Sequence, residues 1–343
     1  MKKILLSILS VFVLSTSVYA CNLFKKDFSS DVKTANLFNS QLTADNTVWV
    51  GTFQLLWNYL SDNYVNGPII FANGQIPFAE ELNKQAFNKS MISEDAYYTT
   101  YGLMTKSFKK EIEDALKQKF NDKSDILDTL DWNSKTFLAY AMLKKDFQFV
   151  KAFSVLKKDT FGSNNKKVKY FGLDNNASQE QRESVRVMFY NSDNDFAVKI
   201  NTNSKDKVIL YRTDSDKSFE AIYNDLLDKS RVYSGSKTFT KKDKLKVPYL
   251  EFSTKHIYEE LAGKYIKGTD LVIDKAMQTV KFNMDNKGVK LKSEAALIMK
   301  MSMAPIEMEK PRNFYFDDNF VVFLIEKDKP YFALKVVDVA GLK

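Results

Sequence analysis

The chain has 343 residues, a formal net charge of +8, 27 Phe and 17 Tyr, but a single cysteine and a single histidine. A hydrophobic content of 44% supports a large, strand-rich core and excludes a disordered chain. One cysteine excludes an intramolecular disulfide, so stability has to come from burial. Opposite charges are interspersed, KKDKLK at 241–246 being answered by DSD at 214–216. The basic excess therefore reads as a solvated surface, with no nucleic-acid partner expected.

Residues 1–20, MKKILLSILSVFVLSTSVYA, read as a secretory leader: Lys2 and Lys3, an apolar stretch, then a small-residue exit. Lys2 and Lys3 leave with it, which lowers the mature charge by two, to +6. The stretch is too short to favour a spanning helix, and no other run approaches ~18 apolar residues. Cys21 follows Val18-Tyr19-Ala20, where a bacterial lipoprotein carries its acylated cysteine. It reads as a lipidation site giving membrane attachment, the alternative being ordinary cleavage that leaves a cysteine. The expected location is exported: a cell-surface or periplasmic lipoprotein, or a secreted protein. Residues 21–45 read as a polar tether grading into a first helix, and 46–343 as one domain.

Residues 47–64 carry Trp49, Phe53, Leu56, Trp57 and Leu60 at helical spacing. NGP at 66–68 and NGQIP at 73–77 are turns. From 78 to 118 the pattern predicts helix, SFKKEIEDALKQKF being its clearest part. Residues 123–132 read as strand or loop, and 135–153 as a buried strand or a helix. From 184 the chain turns to strands: SVRVMFYN, DFAVKINT and DKVILYRT, the last two a hairpin across Asn201–Lys205. Residues 218–229 predict a helix capped by Ser218. LKVPYLEFST at 245–254 predicts a strand, and KHIYEELAGKY after it a helix bearing His256. The run from Phe314 predicts a closing hairpin, NFVVFLIE against PYFALKVVD. Helices come first and mostly antiparallel strands follow, an α+β class.

One segment stands apart. Val280, Phe282 and Met284 alternate with Lys281, Asn283 and Asp285, the period of a strand with one buried face. Asn286-Lys287-Gly288 is a turn, with Gly where positive φ is wanted. The phase then flips. Val289, Leu291, Ala295, Leu297, Met299, Met301 and Met303 are apolar, with small Ser293 among them, and Lys290, Lys292, Glu294, Lys300 and Ser302 lie between. At ~3.3 Å per residue the second run would span roughly 50 Å, whereas strands usually stop at about 5–6 residues. It is either an exceptionally long strand or a loop able to become one.

Catalytic hardware is sparse. His256 reads as structural, and no G-x-S-x-G flanks a serine. There is no Cys/His cluster for zinc, no phosphate-binding glycine motif and no calcium loop. Glu111 and Glu113 belong to an ordinary solvated helix. No enzyme activity, cofactor or metal is expected.

The carboxy-terminal hundred residues resemble the serpins, in order and at nearly matching spacing. LKVPYLEFSTKHIYEEL is similar to that family's strand with its proline. LVIDKAMQTVKFNMDNKGV is similar to the strand before the reactive loop, with Gln278 where the family often has histidine. FYFDDNFVVFLIEKDKPYFALKVVD is similar to the closing hairpin, with Asn319 in place of the proline before Phe320. KVILYRTDSDKSFEAIYNDLL resembles an earlier strand and helix. Residues 22–180 match only in rough order; the Asn-x-Phe-x-Ser-Pro segment is absent, TVWVGTFQLLWN occupying its place.

The resemblance implies a large antiparallel central sheet, with N-terminal helices and a C-terminal β-hairpin. It implies a hinge at Gly288, Val289, Ser293, Ala295 and Ala296, and an exposed loop that enters the sheet after a target protease cuts it. Ser302, Met303, Met308, Glu309, Lys310 and Arg312 are the reactive-loop candidates: spacing back from Phe320 points to Met308-Glu309, spacing on from Gly288 to Ser302-Met303. The implied partner is a serine or cysteine protease and the implied state a monomer. Lys290, Leu291, Lys292 and Glu294 are bulkier and more charged than the small residues such hinges carry. That favours a second reading, a non-inhibitory surface lipoprotein of the same fold with a binding or structural role. A third reading is an exported α+β domain in which 280–303 is a plain long hairpin.

Overall fold

The computed structural model describes residues 31–133, 136–289, 311–339 and 342. In chain order the elements are β1 (Lys33–Thr34), β2 (Thr47–Val50), α1 (Thr52–Leu60) running into a π turn (Ser61–Val65), α2 (Pro77–Asn83), β3 (Tyr97–Leu103), α3 (Lys106–Phe120), β4 (Phe137–Leu143), β5 (Phe147–Gln148), β6 (Ser154–Phe161) and β7 (Asn164–Leu173). Then come α4 (Gln179–Glu183), β8 (Val185–Ser192), β9 (Asp195–Asn201), β10 (Lys207–Arg212), α5 (Phe219–Val232), β11 (Lys244–Pro248), β12 (Leu250–Ile257), β13 (Met277–Met284), β14 (Gly288–Val289), β15 (Asn313–Tyr315), β16 (Phe320–Glu326) and β17 (Lys329–Val336).

The class is α+β, as the sequence implied. A seven-stranded sheet runs β1-β2-β17-β16-β10-β9-β8. A second sheet runs β15-β11-β7-β6, a third β12-β13-β14-β5, and β3-β4 form a pair.

The seven-stranded sheet is the anchor. Every residue of β16 is buried, as is β17 from Pro330 onward. Near-continuous apolar runs of that kind suit strands covered on both faces. They pair across a turn in which Lys327 and Asp328 both take left-handed backbone (φ 50° and 57°), the geometry that matches hairpin twist. The hairpins β9–β10 and β16–β17 fall where alternation placed them. The third sheet lies against the first: Phe282 of β13 stacks on Phe332 of β17, ring centroids 4.6 Å apart. In β13 inward and outward residues alternate without exception.

Caps explain the helix ends. Ser218 Oγ accepts from the Ala221 amide at 3.2 Å to start α5, as expected. Thr105 does the same for α3 through the Phe108 amide at 3.1 Å, and Asn121 ends α3 in left-handed backbone. Ile112 and Leu116 of α3 pack with Leu127 and Tyr140 over β4.

Three helical expectations are corrected. Residues 47–64 are not one helix: 47–50 form β2, because Val48 and Trp49 pair with Leu334 and Ala333 of β17. Residues 78–118 are split by β3, where Tyr97, Tyr98, Thr99, Thr100 and Tyr101 are strand formers that pair along β4. The helix expected after 254 is strand through Ile257, followed only by a 3-10 turn at Glu259–Leu261. Its residues Lys255, His256 and Ile257 complete the ladder to Thr279, Gln278 and Met277. In each case a waiting strand edge outweighed a helical period. Residues 31–46 hold β1 and turns where the start of a helix was expected, and the ambiguous 135–153 resolves into β4 and β5.

Candidate functional site

Among the described residues, β13 and β4 each leave one edge without a partner strand along most of their length. Both β13 and β5 run antiparallel to β14, and hence parallel to each other. Two strands flanking a third stand about 10 Å apart, at ~4.8 Å per neighbour. Among the described residues β14 supplies Gly288 and Val289 to that middle position: Val289 pairs with Met284 on one side and Phe147 on the other, and Gly288 pairs with Gln148. Farther along, β13 pairs only with β12 and β4 only with β3 among the described residues. Between β4 and β13 two strand edges therefore lack a partner. Unpaired edges of this length are strand acceptors.

The top of the gap is stapled. Asp285 Oδ1 accepts from the amides of Lys287 (2.8 Å) and Gly288 (3.2 Å), which forms the turn into β14. The Phe149 amide donates to Lys287 O (2.9 Å) and the Phe153 amide to Asn286 O (2.8 Å). Gly288 is required here for closeness rather than for the positive φ its turn position suggested. A Cβ on it would lie 2.3 Å from Phe147 O and 2.6 Å from Gln148 Cα.

Underneath, α1 packs against β3 and β4. Gln278 ties β13 to this floor, accepting from Tyr258 Oη at 2.7 Å and donating to Val50 O at 3.4 Å. Burial holds the Tyr258 phenol far above its ordinary range, so it stays a donor. His256 lies directly opposite Gln278 on β12, packed edge-on to Tyr258. Burial lowers its pKa against the opposing pull of Glu260 and Glu259, so it is a neutral strand residue.

Above, the turn after α3 reaches over both lips. Asp122 takes Lys144 Nζ at 2.5 Å, and Asp125 takes Lys281 Nζ at 2.6 Å. Lys144 follows β4, and Lys281 is an outward-facing residue of β13.

Lys145 points the other way, into the core. Its Nζ lies 2.6 Å from Asp206 and 2.5 Å from Glu326, all three side chains being 9% exposed or less. Ser93 donates to Glu326 through both its hydroxyl and its amide. Burial alone would raise the Glu326 pKa. The hydrogen bonds from Lys145 and Ser93, with the Lys145 charge, bring it below the ordinary value. This cluster fixes the chain just before β5 to the end of β16.

The chain between Val289 and Pro311 leaves from the gap and returns to the second sheet. Arg312 marks the return. It is 7% exposed; Nε donates to Asp243 Oδ1 (3.1 Å) and Nη2 to Asp243 Oδ2 (2.8 Å). Ser236 O and Thr238 O, each at 2.7 Å, take two further donors. A bait must be open to a protease pocket, whereas Arg312 is buried and held by Asp243. Of the other expected site residues, Gly288 and Val289 form β14. Cys21, Ser293, Ala295, Ala296, Ser302, Met303, Met308, Glu309 and Lys310 lie outside the described residues. Sequence reasoning missed the Lys281–Asp125 and Lys144–Asp122 pairs and the Lys145 cluster, whose partners lie far apart in the chain. It also missed Asp243, the one acid inside KKDKLK.

Among the described residues no group of three or more His, Cys, Asp or Glu could hold a metal ion, and no helix is long and apolar enough to cross a membrane. The described residues thus combine N-terminal helices, two strand edges on β4 and β13 without a partner among them, and a buried closing hairpin. No family model matches the sequence, and no curated protein matches it. Solved structures to which the chain is similar include thyroxine-binding globulin complexed with thyroxine, at 14% identity and a TM-score of 0.43, covering 68% of this chain and 64% of that one. Serpin48 of the insect Tenebrio molitor, described as a highly specific serpin, gives 12% identity and a TM-score of 0.48 over 85% of this chain and 91% of that one. Human glycosylated kallistatin gives 14% and 0.41 over 79% and 71%. At such identities and TM-scores these likenesses carry no argument about function, which rests on the chain's own strand edges.

Proposed function

We propose that this protein inhibits serine or cysteine proteases by letting its cut loop, from 290 onward, enter the gap between β4 and β13. The observation that carries this is the register at the mouth of the gap, where Val289 already sits between Met284 and Phe147 with all three side chains buried. Continued in that register, Leu291 would come beside Phe282, Ser293 beside Val280 and Ala295 beside Gln278, all inward-facing residues of β13. On the other lip the same three meet Lys145, Leu143 and Ala141. The apolar phase read from the sequence is thus the phase that a middle strand would need. An incoming strand would satisfy two unpaired edges at once, which supplies a driving force for dragging an acyl-linked protease. The partner is then a protease attacking within 302–310, and the inhibitor works as a monomer. Export and attachment through an acylated Cys21 would place it at a cell surface or in the periplasm; intact mass of the purified native protein checks the acyl chain.

The test uses the whole mature protein. Limited digestion by trypsin or elastase, with the cut mapped by mass spectrometry to 302–310, is followed by thermal melting. A rise in Tm of 20 °C or more on cutting, together with a protease adduct that survives boiling in detergent, is the expected result. An unchanged Tm would overturn the reading. A Tm rise without any adduct would favour the non-inhibitory alternative, in which the same fold serves as a surface binding or structural protein. The charged residues Lys290, Lys292 and Glu294 are what support that second reading.

A further inference from the structure

We infer that the face formed by Ile70, Tyr265 and Val272 is a membrane-docking surface, which seats the protein on the bilayer that holds its anchor. The inference rests on the proposed acylation of Cys21 and adds to it the part of the fold that meets the lipid. Three short extended runs build the face: 70–72, 264–267 and 271–273. The Ala72 amide donates to Tyr265 O and the Lys267 amide to Ile70 O, both at 2.8 Å. The Ile266 amide donates to Leu271 O and the Ile273 amide to Lys264 O, both at 2.9 Å. Alternation along such runs gives two faces. Phe71 and Ile266, paired with each other, are buried underneath in the cluster that holds Phe53, Trp57 and Tyr258. Ile70, Tyr265 and Val272 stand on the other side, 45%, 57% and 46% exposed. Of eight large hydrophobic side chains this open among the described residues, three therefore share one small face. Exposed apolar faces of that kind mark protein or membrane contacts.

Two observations favour a bilayer as the occupant. The first is where the chain enters the fold. Leu37 packs against the same cluster as Phe71 and Ile266, and Asn36 Nδ2 donates to Glu260 Oε1 at 2.5 Å, three residues before Gly263. From Cys21 to Asp31 the chain can span at most about 35 Å. An anchored protein therefore keeps this face close to lipid, at high effective concentration. The second is which end of the molecule the face occupies. The β12–β13 ladder runs from Leu250 opposite Met284, at the mouth of the gap, to Ile257 opposite Met277. The docking runs flank the Ile257 end, about 23 Å along β12 from the mouth at ~3.3 Å per residue. Docking there leaves the mouth turned towards solution, where a soluble protease can reach it. Tyr265 and Lys267 suit an interface, since each carries an apolar body and a polar end. The stretch 264–275 sets Lys264, Lys267 and Lys275 against Asp270 and Asp274, so apolar contact rather than charge carries the docking.

The experiment couples the mature chain through the Cys21 thiol to a maleimide lipid in phosphatidylcholine vesicles with brominated acyl chains, which quench tryptophan on contact. Tyr265→Trp reports from the face. Val155→Trp reports from an equally open position beside the gap mouth, two residues after Phe153, whose amide donates to Asn286 O. Relative to the wild type, the reporter at 265 is expected to lose at least half its emission and the reporter at 155 none. Adding Ile70→Ser and Val272→Ser is expected to abolish the loss at 265 with Tm unchanged, because both side chains are already open to water. Quenching at neither position, or equally at both, would overturn the inference while leaving the anchor intact, and the face would then belong to a protein partner. Quenching at 265 that survives the two serines would overturn it as well, since the apolar face would not be what holds the lipid. A native protein whose intact mass carries no acyl chain would remove the anchor, and the inference with it.

Discussion

Arg312 shows how one residue can be misread from sequence alone. A lone arginine near a suspected cleavage site reads as bait, yet its guanidinium is spent on Asp243 and the carbonyls of Ser236 and Thr238. Removing one partner of a buried ion pair strands the other, at a cost of about 3–5 kcal/mol. Arg312→Ala is therefore expected to lower the Tm of the uncut protein markedly, and Asp243→Asn to do the same. A protease contact role would leave that Tm unmoved; differential scanning fluorimetry separates the two. The signal was present in the sequence as a single Asp among five neighbouring basic or apolar residues, but nothing local says that it turns inward. Gly288 carries a similar lesson: its turn position suggested φ freedom, and the real constraint is a backbone pressed against Phe147.

At the scale of the element, β14 is two residues long and holds the third sheet together at its top. Gly288→Val would thrust a side chain into Phe147 O, break the pairing to β5 and free β13 from its partner lip. Hydrogen exchange of the Phe147, Phe149 and Val289 amides is expected to speed up by an order of magnitude or more in that variant, with the β16–β17 amides unchanged. Protection equal to the wild type would show that β14 is not the staple. The alternation of β13 and the apolar runs of β9, β10, β16 and β17 were readable, because a strand with one buried face writes its period into the sequence and one covered on both faces reads as a continuous apolar run. The strands that had been read as helix, β2, β3 and the end of β12, carry residues whose spacing also fits a helix. Pairing with β17, β4 and β13 decided them.

The whole molecule is tied together by groups that no local window connects. Lys145, Asp206 and Glu326 join the upper lip of the gap to the seven-stranded sheet across 181 residues of chain. This sets a pH dependence with a definite sign. The Glu326 carboxyl is held below its ordinary value of 4.5, so the folded state keeps the charge and the unfolded state takes the proton first. Its contribution is complete above that ordinary value and is lost as pH falls from there through the lowered folded value. Glu326→Gln should lower stability at neutral pH and flatten the fall between pH 5 and pH 3; denaturant midpoints across that range test it. An equally steep fall in the variant would place the acid sensitivity elsewhere.

By itself the sequence determined the α+β class, the phase of the long alternating runs, the hairpins, the capped helix at 218 and a resemblance to one family. These are properties of period, cap and turn chemistry, which act over a few residues at a time. Tertiary structure alone decided that Gly288–Val289 pair between β13 and β5, and that Arg312 is an anchor. Those outcomes depend on which edges meet and which charges become buried together, and such pairings form between residues that are neighbours only once the chain has folded.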